Sequence, residues 1–160
     1  SKVYGHAEVY GDAIIDEWAR VCGNVKVYGK ARVRGRSTVC DDVQVYDEAQ
    51  VYGEVCISGF AKIYDIAHVN GNARVGEYAI IRDCALVSGK TTIREQAIVE
   101  GNTNIYDRAT VCGNARIYGD AWIYGDACVH DCAAVLGMAQ VYGNAEVYEI
   151  ARIDCSARGL

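Results

Sequence analysis

The sequence predicts an all-β solenoid, a coil of short parallel strands, because a six-residue repeat covers the chain. From Val3 onward, every sixth residue through Ile153 is Val or Ile, in 26 consecutive hexads. The fifth position of each hexad is small, with 20 Ala, 3 Val, 2 Thr and 1 Ser. The third position is Gly in 15 hexads and Asp or Glu in 10. A fixed period of this kind is the signature of a repeat architecture.

Each hexad is predicted to be one short strand followed by one corner. Strand side chains alternate in direction, so a strand through positions five, six, one and two buries the small and the aliphatic residue. Gly followed by Asn, as at Gly23 and Gly143, tolerates the positive φ of a tight bend. Parallel pairing of each strand with its copy one coil later then satisfies the backbone. The absence of proline leaves every backbone donor available for that pairing.

Hexads such as VYGNAE (141–146) and IYGDAW (117–122) resemble those of the hexapeptide-repeat proteins. Units of that family carry an aliphatic residue, often a glycine next, two variable residues and a small residue. Here glycine stands one place later and tyrosine takes its usual site. The resemblance implies a left-handed parallel β-helix with three hexads per coil. The 26 hexads then give about 8.7 coils in a prism about 40 Å long, with one domain over residues 1–160.

Composition restricts the classes of partner. The formal charge of −5 and the pI near 5.2 argue against a nucleic-acid binder and against a protein that binds anionic membranes. No run of about 18 apolar residues is present, so no membrane span is predicted. The eight cysteines are irregularly spaced, which fits reduced cysteines and favours a cytoplasmic over an extracellular location.

Residues related by three hexads are expected to lie above one another on one face, which gives two columns of tyrosines. A rung spacing near 4.8 Å suits stacked aromatic rings. Such a column is either a ladder that stiffens the prism or part of a subunit interface, where aromatic side chains are enriched. The columns are Tyr10, Tyr28, Tyr46 and Tyr64, and Tyr106, Tyr124 and Tyr142.

An apolar strip is also expected on the outside of the middle coils. Where the third position is acidic, the fourth is often apolar, as at Glu77–Tyr78, which predicts a corner that tucks its fourth side chain against the prism. Phe60 is expected under Tyr78 and Ile80 under Ile98. These four side chains either plug corners or form a surface that binds a partner.

The resemblance also implies an enzyme, because many hexapeptide-repeat proteins are trimeric acyltransferases that use acyl-CoA or related donors. In those enzymes a histidine acts as general base on the acceptor. Of the three histidines here, His68 is the best candidate for that role, although a surface histidine explains it equally well. No loop interrupts the repeat, which is unlike those enzymes.

Two groups of cysteines need separate interpretation. Cys112, Cys128, His130 and Cys132 could form a zinc site, but their spacing matches no established zinc signature, and cysteines that fill small sites are the alternative. No cofactor is therefore predicted. Cys22 and Cys40 share a column at an expected backbone separation near 5 Å, which a disulfide tolerates.

The function predicted from the sequence is a structural or self-assembly module. The repeat reaches both ends of the chain without polar caps, so we expect either a piece of a longer repeat protein or copies that stack end to end into filaments. Side-by-side association is the other form of assembly, and the expected partner is a second copy, in a filament or a trimer. The alternatives are an acyltransferase-like enzyme and a non-catalytic protein that binds a ligand or partner.

Overall fold

A computed structural model describes residues 1–155 as a three-sided parallel β-solenoid. This part of the chain contains 26 strands, most of them two residues long, and no helix. It therefore offers no helix that could cross a membrane. The repeat predicted from the sequence determines the position of every strand, because each one covers the sixth position of one hexad and the first position of the next.

In chain order the strands are β1 (Lys2–Val3), β2 (Glu8–Val9), β3 (Ile14–Ile15), β4 (Arg20–Val21), β5 (Lys26–Val27), β6 (Arg32–Val33), β7 (Thr38–Val39), β8 (Gln44–Val45), β9 (Gln50–Val51), β10 (Cys56–Ile57), β11 (Lys62–Ile63), β12 (His68–Val69), β13 (Arg74–Val75), β14 (Ile80–Ile81), β15 (Leu86–Val87), β16 (Thr92–Ile93), β17 (Ile98–Val99), β18 (Asn104–Ile105), β19 (Thr110–Val111), β20 (Arg116–Ile117), β21 (Trp122–Ile123), β22 (Cys128–Val129), β23 (Ala134–Gly137), β24 (Gln140–Val141), β25 (Glu146–Val147) and β26 (Arg152–Cys155).

The strands form three parallel sheets, one on each side of the prism, and every third strand belongs to the same sheet. The first sheet runs from β1 to β25, the second from β2 to β26 and the third from β3 to β24. Paired residues are three hexads apart, as for Ile80 with Ile98 and Ile81 with Val99. The predicted left-handed parallel β-helix with three hexads per coil is confirmed.

The core is one continuous column inside the three sheets. From Ala19 to Val147 it consists of first-position and fifth-position side chains, and nearly all of them are fully buried. Ile81 is fully buried, whereas its neighbour Ile80 on the same strand faces outward and is half-buried. Burial of an aliphatic side chain contributes roughly 1.5–3 kcal/mol before chain entropy is subtracted. The alternation predicted from the hexad thus separates the core from the surface.

Every corner described turns through a residue with positive φ at the third position of the hexad. Fifteen of these residues are glycines and the other 10 are Asp or Glu, with φ between 53° and 69°. Gly59 shows why glycine is common here, because a Cβ at this position would lie 2.7 Å from the backbone nitrogen of Glu77. Positive φ is strained for residues with a side chain, so the acidic corners need a compensating interaction.

Seven of the ten acidic corners obtain that interaction from the next coil. All six aspartates at third positions, and Glu95, accept a hydrogen bond from the backbone N–H of the equivalent residue one coil later. The Asp83 carboxylate, for example, accepts from the N–H of Gly101 at 2.9 Å. The carboxylate thus satisfies a backbone donor that a glycine in its place would leave without this partner.

The prediction that acidic corners tuck the fourth side chain against the prism is wrong. The side chains that follow them are exposed, including Tyr78 at 58% and Ile66 at 47%. At Ile66 the reason lies in the corner geometry, since the Asp65 side chain points along the prism axis to the next coil and the residue after it is directed outward. These apolar fourth-position side chains are therefore available at the surface.

Asp83 offers a test of the carboxylate hydrogen bond. Asp83→Ala removes the acceptor and leaves a Cβ at positive φ, so we expect the free energy of unfolding to fall by about 1–3 kcal/mol. Asp83→Asn keeps an acceptor oxygen and tolerates positive φ, and is expected to stay within about 1 kcal/mol of the unchanged protein. Urea denaturation of the two variants measures both values. Equal stability of the Ala and Asn variants would contradict this role of the carboxylate.

Candidate functional site

An apolar surface lies on the outside of the second sheet in the middle coils. We call Phe60, Tyr78, Ile80 and Ile98 the isoleucine patch. The rings of Phe60 and Tyr78 stack with their centroids 5.0 Å apart, and both side chains are at least half exposed. Ile80 and Ile98 are neighbours in register on β14 and β17. The structure thus brings together the four residues predicted to form an outer strip.

A shallow depression of about 340 Å³ forms the middle of this surface, lined by Tyr78, Ile80, Gln96 and Ile98. It exists because Ala79 and Ala97 point into the core between the outward side chains. In the same column of the second sheet, the coils on either side carry Lys62 and Arg116. The isoleucines therefore interrupt a polar column, which distinguishes this surface from the rest of that column.

An ion pair borders the isoleucine patch on the same sheet. The Nε of Arg82 donates to Glu100 Oε2 at 2.7 Å, and the two residues occupy equivalent positions in successive coils. This hydrogen bond raises the pKa of the Arg82 guanidinium, with a further contribution from the Glu100 charge. This pair was not predicted from the sequence, where only columns of tyrosines, apolar residues and cysteines were compared. A search for opposite charges at equivalent positions of successive coils would have found it.

The first tyrosine column forms a ladder on the second sheet, directly below Arg82. The rings of Tyr10, Tyr28, Tyr46 and Tyr64 stack nearly parallel, with centroids 5.0, 4.9 and 4.8 Å apart. Each tyrosine follows the strand of its own coil by one residue. All eight residues predicted for an interface therefore lie on the second sheet or on the corners beside it.

The second tyrosine column lies on the third sheet. Tyr106, Tyr124 and Tyr142 stack with centroids 5.0 and 5.3 Å apart, and Trp122 meets the Tyr106 ring edge-on at 6.1 Å. The Tyr124 hydroxyl donates to Gln140 at 3.3 Å. This column is separate from the isoleucine patch.

The three histidines lie in different coils and do not converge. His68, the predicted catalytic candidate, is half-buried on β12 and meets the Tyr52 ring edge-on, with centroids 6.5 Å apart. In the described residues no carboxylate forms an ion pair with it. His130 instead lies 3.2 Å from the carboxylate of Asp131, its neighbour in sequence, and stacks on Tyr148. The geometry thus gives His68 no partner that would orient it as a base.

The proposed zinc candidates are only partly brought together. Cys112 and Cys128 lie next to each other on adjacent coils. Burial raises the pKa of both thiols. Contact with Cys112 raises the pKa of Cys128 further. Cys132 is exposed at a corner, and His130 pairs with Asp131. Within residues 1–155 no group of three or more His, Cys, Asp or Glu side chains is arranged to hold a metal ion.

Cys22 and Cys40 form a disulfide, with their Cα atoms 4.7 Å apart. This agrees with the separation expected from their shared column and differs from the reduced state expected for the cysteines as a group. The disulfide links two successive coils on the side of the first sheet. The other six cysteines are free.

The fold of this chain is similar to that of known proteins. A family model described as the YdcK β-solenoid repeat matches residues 109–125 and 115–131. The solved structure of UDP-N-acetylglucosamine acyltransferase from Campylobacter jejuni is similar with a TM-score of 0.59 at 16% identity. UDP-N-acetylglucosamine O-acyltransferase (LpxA) from Moraxella catarrhalis RH4 gives 0.55 at 12%. The fold is that of a hexapeptide-repeat β-helix.

These similarities have a limited extent. The matches cover 89% and 87% of this chain, and 68% and 66% of the Campylobacter and Moraxella proteins. No curated protein matches this chain significantly. At such identities the likeness concerns the path of the backbone, and the chemistry of the site must be argued from this chain's own residues.

The tyrosine ladder predicts a pH dependence of stability. Burial, and to a lesser extent the neighbouring Tyr64 and Tyr28, raise the pKa of Tyr46 from 10.0 to about 12. Between these pH values the unfolded chain loses this proton before the folded chain does, so the free energy of unfolding should fall as the pH rises from 10 to 12. Urea denaturation at several pH values measures this loss.

The matched variants are Tyr46→Phe and Tyr118→Phe, since Tyr118 lies on the same sheet outside the ladder. Phenylalanine keeps the ring and removes the titrating hydroxyl. We expect Tyr46→Phe to reduce the loss of stability at high pH and Tyr118→Phe to leave most of it. An equal effect of the two variants would show that the ladder does not raise the pKa of Tyr46.

Proposed function

We propose that this chain is a structural module that self-assembles, and that its copies associate side by side through the outer face of the second sheet. The observation that carries the proposal is the isoleucine patch, an apolar surface whose two isoleucines lie between Lys62 and Arg116 in one column. Contiguous exposed apolar surface of this kind marks interaction sites in soluble proteins. The tyrosine ladder extends the same face with aromatic side chains, which are enriched in interfaces.

A second copy of the chain is the occupant that fits this face best. The face is a parallel sheet with side chains repeating at every coil, so its rungs are spaced by about 4.8 Å. Another copy presents rungs at the same spacing, which allows side chains to interdigitate over the coils that carry the isoleucine patch. Sheets pack face to face in this way at about 10 Å. A partner without this repeat would match the face at only a few points.

The proposed interface would be larger than the isoleucine patch alone. A stable interface buries about 800 Å² on each partner, more than four side chains supply. Phe60, Tyr78, Ile80 and Ile98 would form its centre, and the stacked ring of Tyr64 would continue it. Arg82 and Glu100 then lie beside the apolar centre as polar groups already satisfied by each other. Such a satisfied pair is less costly to cover than a lone charge.

The acyltransferase alternative is supported by the similarity of fold to the two acyltransferases. At 12% and 16% identity that similarity carries no catalytic residue across. His68 is the residue to test, because changing a general base to Ala would abolish acyl transfer from acyl-CoA. Loss of acyl transfer in a His68→Ala variant that keeps its fold and its oligomeric state would support this alternative.

Ile80→Asp tests the proposed assembly. A carboxylate in the centre of an apolar interface cannot be solvated once covered, so we expect the variant to be monomeric at concentrations where the unchanged chain forms oligomers. Analytical ultracentrifugation measures the mass, and negative-stain electron microscopy separates side-by-side from end-to-end association. Circular dichroism checks that the variant keeps its strands.

Gln44→Asp is the matched control. Gln44 is in the same column of the second sheet as Ile80, two coils away, and faces outward. The same new charge outside the isoleucine patch should weaken the association far less than Ile80→Asp. A monomeric unchanged chain, or equal dissociation by both variants, would contradict assembly through the isoleucine patch.

A further inference from the structure

A polar depression lies on the edge of the prism between the third sheet and the first. Asn72, Arg74, Lys90 and Thr92 line a depression of about 360 Å³ there. Between them, Ala73 and Thr91 are fully buried and point into the core. The four outward side chains therefore stand on the two sides of a trough that spans two coils. This trough is on a different side of the prism from the isoleucine patch.

The trough is lined by hydrogen-bond donors, and none of the four described side chains that line it is a carboxylate. Arg74 and Lys90 contribute two positive charges, Thr92 a hydroxyl and Asn72 an amide. In residues 1–155 neither Arg74 nor Lys90 forms an ion pair. Lys30 and Arg108, by contrast, each pair with an acid one coil later. Two cations from adjacent coils thus line one depression, and no carboxylate is among its four lining side chains.

The backbone fixes the attachment points of these four side chains. Arg74 and Thr92 face each other in register on β13 and β16. The Asn72 N–H donates to Gly89 O at 2.8 Å, and the Arg74 N–H donates to Thr91 O at 2.9 Å. The attachment points of the four side chains are thus set by the coil itself, with one coil rise between the two rows. Such an arrangement limits the entropy that is lost when a ligand binds.

The nearest acids in the same column are engaged elsewhere. Glu54 lies one coil before Asn72 and pairs with Arg36 at 3.6 Å. One coil beyond Lys90, Arg108 pairs with Asp126. Lys90 also borders a neighbouring depression lined by Asp107, whose carboxylate accepts a hydrogen bond from the Gly125 N–H. The trough itself is therefore lined by two positive charges, with no carboxylate among its four side chains.

We propose that Asn72, Arg74, Lys90 and Thr92 bind a tetrahedral oxyanion, the phosphate or sulfate group of a small ligand. The guanidinium of Arg74 supplies a planar pair of donors suited to two oxygens of the anion. The Lys90 ammonium adds a second charge from the neighbouring coil, and the Thr92 hydroxyl and Asn72 amide donate to the remaining oxygens. The site does not depend on self-assembly, because it lies on another edge of the prism.

The test is a titration of the isotope-labelled protein with inorganic phosphate, and separately with sulfate, followed by amide NMR shifts. Ionic strength is held constant with sodium chloride, so general screening is the same throughout. We expect saturable shifts at residues 72, 74, 90 and 92 in at least one of the two titrations, and the stronger titration identifies the preferred group. Absence of saturable shifts with both anions would overturn the proposal.

The variant Arg74→Gln/Lys90→Gln removes both charges and keeps polar side chains of similar length. We expect the dissociation constant to rise at least tenfold, since the loss of even one charge-assisted hydrogen bond costs about that factor. Arg32→Gln/Lys62→Gln removes one arginine and one lysine from other faces and should leave the affinity nearly unchanged. Equal weakening by both double variants would show a general charge effect and overturn the site.

Thr92→Val separates hydrogen bonding from charge. It keeps the β-branched shape on β16 and the net charge while it removes one donor. A smaller loss of affinity than in the double variant is expected, with the shifts confined to the same residues. An unchanged affinity would contradict the role of the Thr92 hydroxyl.

Discussion

The constraint on which the whole structure depends is the constant offset between backbone donor and acceptor in successive coils. The Lys62 N–H donates to Ala79 O at 2.9 Å, and the Tyr64 N–H donates to Ile81 O at 3.1 Å, each to a carbonyl of the next coil. The same offset recurs along the described chain. One inserted or deleted residue would shift every later hexad against the coil below, turning aliphatic residues outward. This constraint explains why the six-residue period is kept without interruption along the sequence.

Because the backbone is so uniform, differences between coils reside in the outward columns. Positions one and five are restricted to aliphatic and small residues by the core, whereas positions two, four and six are free to vary. The same scaffold therefore carries stacked tyrosines and the isoleucine patch on one side. On another edge it carries the donors around Arg74 and Lys90. In such a chain a surface site is formed by a column of residues. The contribution of one residue therefore depends on the equivalent residues of the neighbouring coils.

Most of the fold could be predicted from the sequence, and the reason is physical. The six-residue period determines which side chains are buried, and the three-hexad coil, implied by the family resemblance, places Phe60 under Tyr78 and Ile80 under Ile98. Handedness also came from the resemblance, since crossovers between parallel strands are otherwise right-handed. Residues related by the repeat are therefore the ones that sequence analysis locates correctly.

Features that depend on local direction were harder to predict. The hexad pattern does not reveal where a side chain points after a residue with positive φ, so Tyr78 and Ile66 were wrongly expected to be tucked in. The carboxylate of Asp83 reaches along the axis to Gly101, which the pattern of acidic residues alone does not reveal. Side-chain contacts between columns, such as that of Tyr106 with Trp122, likewise cannot be deduced from the repeat alone.

The most direct test of the account is a methyl NMR experiment on the column Ile63, Ile81 and Val99 in the core of the second sheet. Closure of the coil after three hexads places these side chains in successive rungs, pointing inward. We predict nuclear Overhauser contacts of Ile81 methyls with those of Ile63 and Val99. Methyls of Ile81 that are exposed to water, or contacts that follow a different residue spacing, would contradict the account.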